Sequence, residues 1–180
     1  MTVPNLITSI RIILAPIFII YLINDQFLYA LIIFAVCGIS DGVDGLVARL
    51  FNQKSKLGTY LDPLADKIVL VAAFIVLSIR GFLPSWLTVA VIARDVMILL
   101  GVFVLFLNRL EFNIKPSILS KITTCFQFIA VLAVLSKVYF LSLGRYNVYL
   151  FYATGLFTIS SGLHYMHYWF GMMGDESDNN

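Results

Sequence analysis

Between Ser40 and Lys67 the chain reads SDGVDGLVARLFNQKSKLGTYLDPLADK, which sets four aspartates, Asp41, Asp44, Asp62 and Asp66, between two long apolar runs. At about 100° per residue, Asp41, Asp44, Gly45 and Ala48 fall within roughly one third of a helix circumference, and Gly58, Asp62 and Asp66 do the same on the next segment. Two antiparallel neighbours joined near Asn52 to Lys56 would therefore face each other with carboxylates and small residues between them. Like charges that close repel by several kcal/mol at an effective dielectric of about 20 unless something positive lies among them. Arg49, Lys54, Lys56 and Lys67 are the cations at hand, and an ordinary salt-bridged helix pair is the plain alternative.

The surroundings of this stretch decide the fold class. The chain has 180 residues, 61% of them hydrophobic and 12% charged, too few charges to cover a soluble globule of that size. Its apolar runs are continuous and approach the roughly 20 residues of a bilayer crossing, which favours helices over the short alternating strands of a barrel. The expected fold is an all-α polytopic membrane protein of six transmembrane helices: Ile7 to Ile23, Phe27 to Ile39, Leu57 to Ile79, Leu83 to Leu107, Ile118 to Leu141 and Tyr146 to Phe170. The second continues as a helix toward Leu50, which carries the aspartates out to one membrane face. Residues 1–174 form one domain, and 175–180, the acidic DESDNN, is expected to be a disordered tail. Met1 to Leu6 has no charged n-region, so insertion without cleavage is expected. The loops with Arg49, Lys54, Lys56, Arg109 and Lys115 are the more basic set, which puts them and both termini in the cytoplasm of an inner-type membrane.

Charge and cysteine content exclude several classes. A net charge of +2 gives no footprint for nucleic acid. Cys37 and Cys125 have no CxxC spacing and read as small buried residues. His164 and His167, without carboxylates beside them, read as interfacial aromatics. Arg11, Arg94, Asp95 and Lys121 lie inside apolar spans, where their cost in lipid argues for a cavity or mutual pairing.

An oxygen-only cluster favours hard cations, Mg²⁺ or Mn²⁺, and four carboxylates suffice for two ions. Metal pairs of that kind clamp transferring phosphoryl groups. Small residues at 45, 48 and 58 leave room for a bulky group such as a nucleotide diphosphate. No GxxxxGK[ST] loop is present, so P-loop chemistry is excluded.

The run D41-x2-D44-G45-x2-A48-R49-x8-G58-x3-D62-x3-D66 matches, without a departure, the signature of the CDP-alcohol phosphatidyltransferase family, and the opening PNLITSIRIILAP resembles it too. The resemblance implies a six-helix bundle around a cytoplasm-facing polar cavity, embedded among membrane lipids and assembled as a homodimer. It further implies that Asp41, Asp44 and Asp62 hold the metals, that Asp66 completes the second metal's shell and acts as general base, and that Gly45, Ala48, Arg49 and Gly58 line the CDP pocket. Asn5, Thr8 and Arg11, three residues apart on the first span, are read as lining the pyrophosphate end of that pocket. The implied reaction is attack of a glycerol-type hydroxyl on CDP-diacylglycerol with release of CMP.

Three stretches, IARDVM (92–97), KPSILSKITTCFQ (115–127) and SGLHYMHY (161–168), look most like the eukaryotic-type cardiolipin synthase branch, whose acceptor is phosphatidylglycerol. The phosphatidylglycerophosphate synthases, with glycerol 3-phosphate as acceptor, share PNLIT and LDPLADK. Arg94 and Lys121 are the expected acceptor-binding cations. A metal-ion transporter is the rival from another class, disfavoured because the carboxylates occur once, near one face, with no second copy.

If Asp66 is the base, Asp66→Asn should keep the fold and some nucleotide binding yet lose roughly 10²–10⁴-fold in turnover, since the amide cannot take the hydroxyl proton. Wild-type rates of CMP release in that variant would remove Asp66 from the role.

Overall fold

The computed structural model describes the backbone of residues 3–51, 56–107, 117–137 and 147–177, and the side chains of 13–40, 67–101, 117–136 and 148–167. These residues form six helices and, among the described residues, no strand: α1 (Val3–Ile23), α2 (Phe27–Phe51), α3 (Lys56–Ile79), α4 (Ser85–Leu107), α5 (Ile118–Lys137) and α6 (Asn147–Ser177). The helix that begins at Phe27 does continue through the aspartate stretch, as far as Phe51. At the other end, α6 runs to Ser177, three residues into the stretch expected to be a disordered tail. No proline follows Gly174 to stop the helix, so it continues through Asp175 and Glu176.

The helix ends are set by local chemistry. α1 and α3 close with the same motif, in which a left-handed residue turns the last amides back on the helix. In α1 that residue is Asp25 (φ 58°), with Gln26 N–H donating to the Tyr21 carbonyl at 2.9 Å. In α3 it is Gly81 (φ 75°), with Phe82 N–H donating to the Leu77 carbonyl at 2.8 Å. Glycine is free of Cβ strain there, and aspartate is one of the few L-residues that tolerate it. Arg80 joins the two turns, donating to the Asp25 carboxylate and, at 3.1 Å, to the Ile23 carbonyl. At the start of α5, Ser117 Oγ accepts from the Ser120 amide at 3.1 Å, an N-cap bond.

α2 packs on α1, α3 and α5; α3 also meets α1, α4 and α5; α6 packs on α4 and α5. The interior is filled by Phe18, Leu22, Phe34, Phe74, Leu77 and Leu87, with Val91, Val131 and Leu135. A polar seam runs between α5 and α6: Thr123 Oγ1 donates to the Phe157 carbonyl at 3.0 Å and Gln127 Nε2 to Thr158 Oγ1 at 3.2 Å. Outward positions are apolar as well, among them Ile13, Ile39, Ile79, Val89, Ile118 and Leu156. So large an exposed apolar surface is what a bilayer covers and water does not. Among the described residues, one helical stretch, Ile118–Ser136, is long and apolar enough to cross a membrane, and Ile13–Ile23, Phe27–Ser40 and Lys67–Ile79 are shorter apolar stretches.

Two close approaches depend on glycine. A Cβ on Gly38 would lie 2.0 Å from Cζ of Phe128, whose ring stacks on Phe34 at 4.5 Å. A Cβ on Gly155 would lie 2.5 Å from the Trp86 ring, which stacks on Tyr152 at 5.7 Å. At Gly162 the nearest atom is Arg94 Cγ at 3.7 Å, an ordinary contact.

Gly38→Ala should therefore displace the Phe128 ring and destabilise the fold by about 1–2 kcal/mol, overpacking outweighing the helix propensity gained. Gly162→Ala, with room for the methyl, should be neutral or stabilising by a few tenths of a kcal/mol. Thermal unfolding of the two variants in detergent tests the order; equal midpoints would deny the Phe128 contact its role.

Candidate functional site

A charged cluster lies within the helix bundle. Arg94 and Asp95, adjacent on α4, are 4% and 6% exposed. Isolated ions there would be prohibitive, so each is paired. Arg94 Nη1 donates to Asp95 Oδ1 at 2.7 Å, and Nη2 donates to the Ser120 hydroxyl on α5 and to Ser161 Oγ on α6 at 3.1 Å. Lys67 on α3 reaches the same Asp95 Oδ1 at 3.0 Å. One carboxylate thus serves two cations, and Arg94 ties α4 to α5 and α6. Close to Arg94's partners, the Ser117 amide donates to the Tyr165 hydroxyl at 3.5 Å.

α4 and α5 make no close backbone approach among the described residues, and Arg94 spans the gap between them. Beside it is a cavity of about 100 Å³ lined by two kinds of surface. Lys67, Arg94, Asp95, Thr124 and Gln127 form the polar side; Phe34, Cys37, Gly38, Val69, Leu70 and Phe128 form the apolar one. Arg94 is close to saturated, while its Nε is buried without a partner among the described residues. Among the described residues, Lys67, with a side chain 35% exposed, uses one of three ammonium donors. It is the cation a molecule in the cavity reaches most readily.

The aspartate stretch adjoins this cavity along the chain. Gly38, a lining residue, is three residues before Asp41 on α2, and Lys67 directly follows Asp66 on α3. Asp41, Asp44, Gly45, Ala48 and Arg49 belong to α2, Gly58, Asp62 and Asp66 to α3, and Asn5 and Thr8 to α1. Their side chains, and so any geometry of the carboxylates, lie outside the described residues. Of the two expected acceptor cations, Arg94 lines the cavity, whereas Lys121 is exposed on α5 and is not among its lining residues. Arg94 and Asp95, within an apolar helix, were expected to find either a cavity or each other, and they do both. Cys37 is buried as expected, but Cys125 is exposed, because α5 turns it away from the α6 seam.

Sequence reading passed over the part played by Lys67 here, and over Ser120, Ser161 and Gln127. Serine and glutamine are common enough on helices to carry no signal alone. The available signal was the sum of Gln127, Thr154, Thr158 and Ser161, all buried polar residues in apolar helices.

Comparison with known proteins adds the family. A family model described as CDP-alcohol phosphatidyltransferase matches residues 1–160. The chain is 36% identical to "Cardiolipin synthase (CMP-forming)" of Rattus norvegicus over 184 aligned residues, and equally to the protein of that name from Homo sapiens. Each alignment covers 93% of this chain and 61% of the mammalian protein, so the chain spans about three fifths of the length of these relatives. It is 33% identical over 138 residues to "CDP-diacylglycerol--glycerol-3-phosphate 3-phosphatidyltransferase" of Aquifex aeolicus, covering 74% of this chain and 75% of that one.

Asp95→Ala would leave the Arg94 guanidinium buried without its counter-ion, at a cost of about 3–5 kcal/mol, while Asp95→Asn, which still accepts at Oδ1, should lose less. Denaturant unfolding in mixed micelles measures both; a loss below about 0.5 kcal/mol for alanine would mean that the pair does not hold α4 in place.

Proposed function

The chain belongs to the CDP-alcohol phosphatidyltransferase family, and on that premise we propose that it is an integral membrane enzyme that transfers a phosphatidyl group from CDP-diacylglycerol to a glycerol-type acceptor, releasing CMP. The observation that carries this reading is the cavity lined by Lys67, Arg94 and Asp95, which adjoins the helix segments bearing all four motif aspartates. An apolar wall facing a charged one suits a substrate that is lipid at one end and polyol phosphate at the other.

Asp41, Asp44, Asp62 and Asp66, an oxygen-only donor set, would hold two Mg²⁺ or Mn²⁺ ions, which supply positive charge against the pyrophosphate oxygens. Gly45, Ala48 and Gly58 leave space for the cytidine nucleotide, and Arg49, Asn5 and Thr8 contact its phosphates. Asp66 takes the proton of the acceptor hydroxyl as that oxygen bonds to the lipid-side phosphorus. The bond from phosphorus to the CMP oxygen breaks in line, and CMP leaves with the electron pair. Arg94 and Lys67 hold the acceptor's phosphate close to the attacking position, Arg94 chiefly by its charge and Lys67 with its free donors. Lys121, exposed on α5, adds a more distant cation.

The six helices cross the bilayer with the cavity and both termini on the cytoplasmic side, and two copies form a homodimer, as the family resemblance implies. Residues 1–174 act as one domain.

The preferred acceptor is phosphatidylglycerol. Support comes from relatives named cardiolipin synthase that align over 93% of the chain, and from the charge balance. Lys67, Arg94 and Asp95 together carry one net positive charge, which matches a phosphodiester better than the near-dianionic phosphate of glycerol 3-phosphate. Each further charge-assisted contact would contribute about 1.5–3 kcal/mol, and few cations are left to make it. Glycerol 3-phosphate is the second reading, favoured by the Aquifex aeolicus relative.

A competition with labelled CDP-diacylglycerol, phosphatidylglycerol and glycerol 3-phosphate tests both. Cardiolipin should dominate, and Lys121→Ala should lower its rate severalfold without abolishing it. Phosphatidylglycerophosphate as main product, removed by Arg94→Ala or Lys121→Ala, would reverse the preference. No CMP release with either acceptor would overturn the transfer itself.

A further inference from the structure

Among the described residues, one oxygen of Asp95 is occupied and the other has no partner. Lys67 and Arg94 both donate to Oδ1, and Oδ2 has no partner among the described residues. Among the described residues, the one fully buried side-chain nitrogen or oxygen without a partner is Arg94 Nε, so Oδ2 is not a buried orphan, and Asp95 is one of the residues that line the cavity. A carboxylate oxygen accepts hydrogen bonds and donates none, and it repels phosphate. With Oδ1 already bonded to two cations, the group that suits Oδ2 is a neutral donor, a hydroxyl.

The size and position of the cavity narrow the source of that hydroxyl. At about 100 Å³, well above the roughly 10–15 Å³ that one water needs, the cavity has room for a small polyol unit. Phe128, stacked on Phe34 and pressed against Gly38, bounds it on the apolar side. Lys67, bonded to Asp95, directly follows Asp66 on α3. On the transfer reading, a polyol that presents one hydroxyl for reaction has a neighbouring hydroxyl one carbon away, within the reach of the cavity that Asp95 lines.

We propose that Asp95 is an acceptor-orienting residue: its Oδ2 accepts the hydrogen bond of the non-reacting middle hydroxyl of a glycerol unit, and so turns the terminal hydroxyl toward the reacting phosphorus. This rests on the transfer reading above and deepens it. It holds for either source of the glycerol unit, since phosphatidylglycerol and glycerol 3-phosphate both carry a middle hydroxyl beside the attacking one. The bond fixes rotation about the glycerol carbons, and orientation of that kind acts on the chemical step as well as on binding.

The test removes the hydroxyl from the substrate and the oxygen from the protein. The full-length protein in lipid–detergent micelles is given CDP-diacylglycerol with phosphatidylglycerol or phosphatidyl-1,3-propanediol, and in a second arm with glycerol 3-phosphate or 3-hydroxypropyl phosphate. Whichever arm is active identifies the source. Wild type should prefer the acceptor that has the middle hydroxyl by roughly 10–100-fold in kcat/KM, the scale of a hydrogen bond to a charged group. Asp95→Asn keeps an oxygen for the two cations and puts an amide nitrogen where Oδ2 was, so the preference should shrink to about 2–5-fold, the scale of a neutral bond. Lys67→Met perturbs the same network and leaves Oδ2 in place; it should slow both acceptors of a pair alike and keep their ratio. A structural role for Asp95 would likewise lower both rates without moving the ratio. An unchanged ratio in Asp95→Asn, or a wild type indifferent to the middle hydroxyl, overturns the assignment while leaving phosphatidyl transfer intact. Absence of CMP release in both arms takes down the transfer reading and this one with it.

Discussion

A carboxylate that is 6% exposed inside an apolar helix bundle has to be neutralised, and the way Asp95 meets that requirement organises the side of the molecule that matters most. Its Oδ1 collects Lys67 from α3 and Arg94 from its own helix, and Arg94 in turn reaches α5 through Ser120 and α6 through Ser161. Four helices are thereby referred to one oxygen atom. The same arrangement keeps a space open: α4 and α5 are bridged by a long side chain instead of closing backbone to backbone, and the cavity lies beside the bridge. A well-packed apolar residue at 95 would stabilise the bundle at least as well, which is why the ion pair is better understood as serving a polar cavity than as serving stability.

The opposite end of the bundle is built differently. There α1 and α3 end in left-handed caps at Asp25 and Gly81, and Arg80 clamps one turn to the other. Phe27 packs edge to face on Phe82 at 5.1 Å, so aromatic contacts and backbone caps tie the helices together at this end. Rigidity is concentrated where α1, α2 and α3 are held together. Precise placement of a reacting group needs such a supported frame.

Between the two ends, glycine and aromatic residues set the spacing of the helices. The Phe128 ring occupies the place a side chain on Gly38 would take, which brings α5 against α2 one turn before Asp41. Trp86 does the same over Gly155 between α4 and α6. Together with the hydroxyl and amide seam of Thr123, Gln127 and Thr158, these contacts let helices with uniformly apolar outer faces find a single register.

Much of this was legible along the chain, because the properties concerned are local. Apolar runs broken at Asn24 to Gln26 and at Arg80-Gly81 mark helix ends through turn chemistry that involves only neighbours in sequence. The extension of α2 through Asp41 and Asp44 follows from helical spacing, and the family follows from eight residues at fixed intervals. What distinguishes Arg94 from Lys121 is not local. Both are cations one or more turns inside apolar helices, and only packing turns Arg94 to the cavity and leaves Lys121 exposed. Lys67 and Asp95 are 28 residues apart, and Arg94 and Ser161 are 67 apart. Whether such groups meet depends on which helix faces which, and in helices that are apolar nearly all round, periodicity does not say. The sequence by itself therefore determined six helices, their joints and a carboxylate-bearing pair among them; the shared oxygen of Asp95 and the cavity beside it came from tertiary structure, because a buried charge is satisfied by partners that only the folded bundle brings within 3 Å.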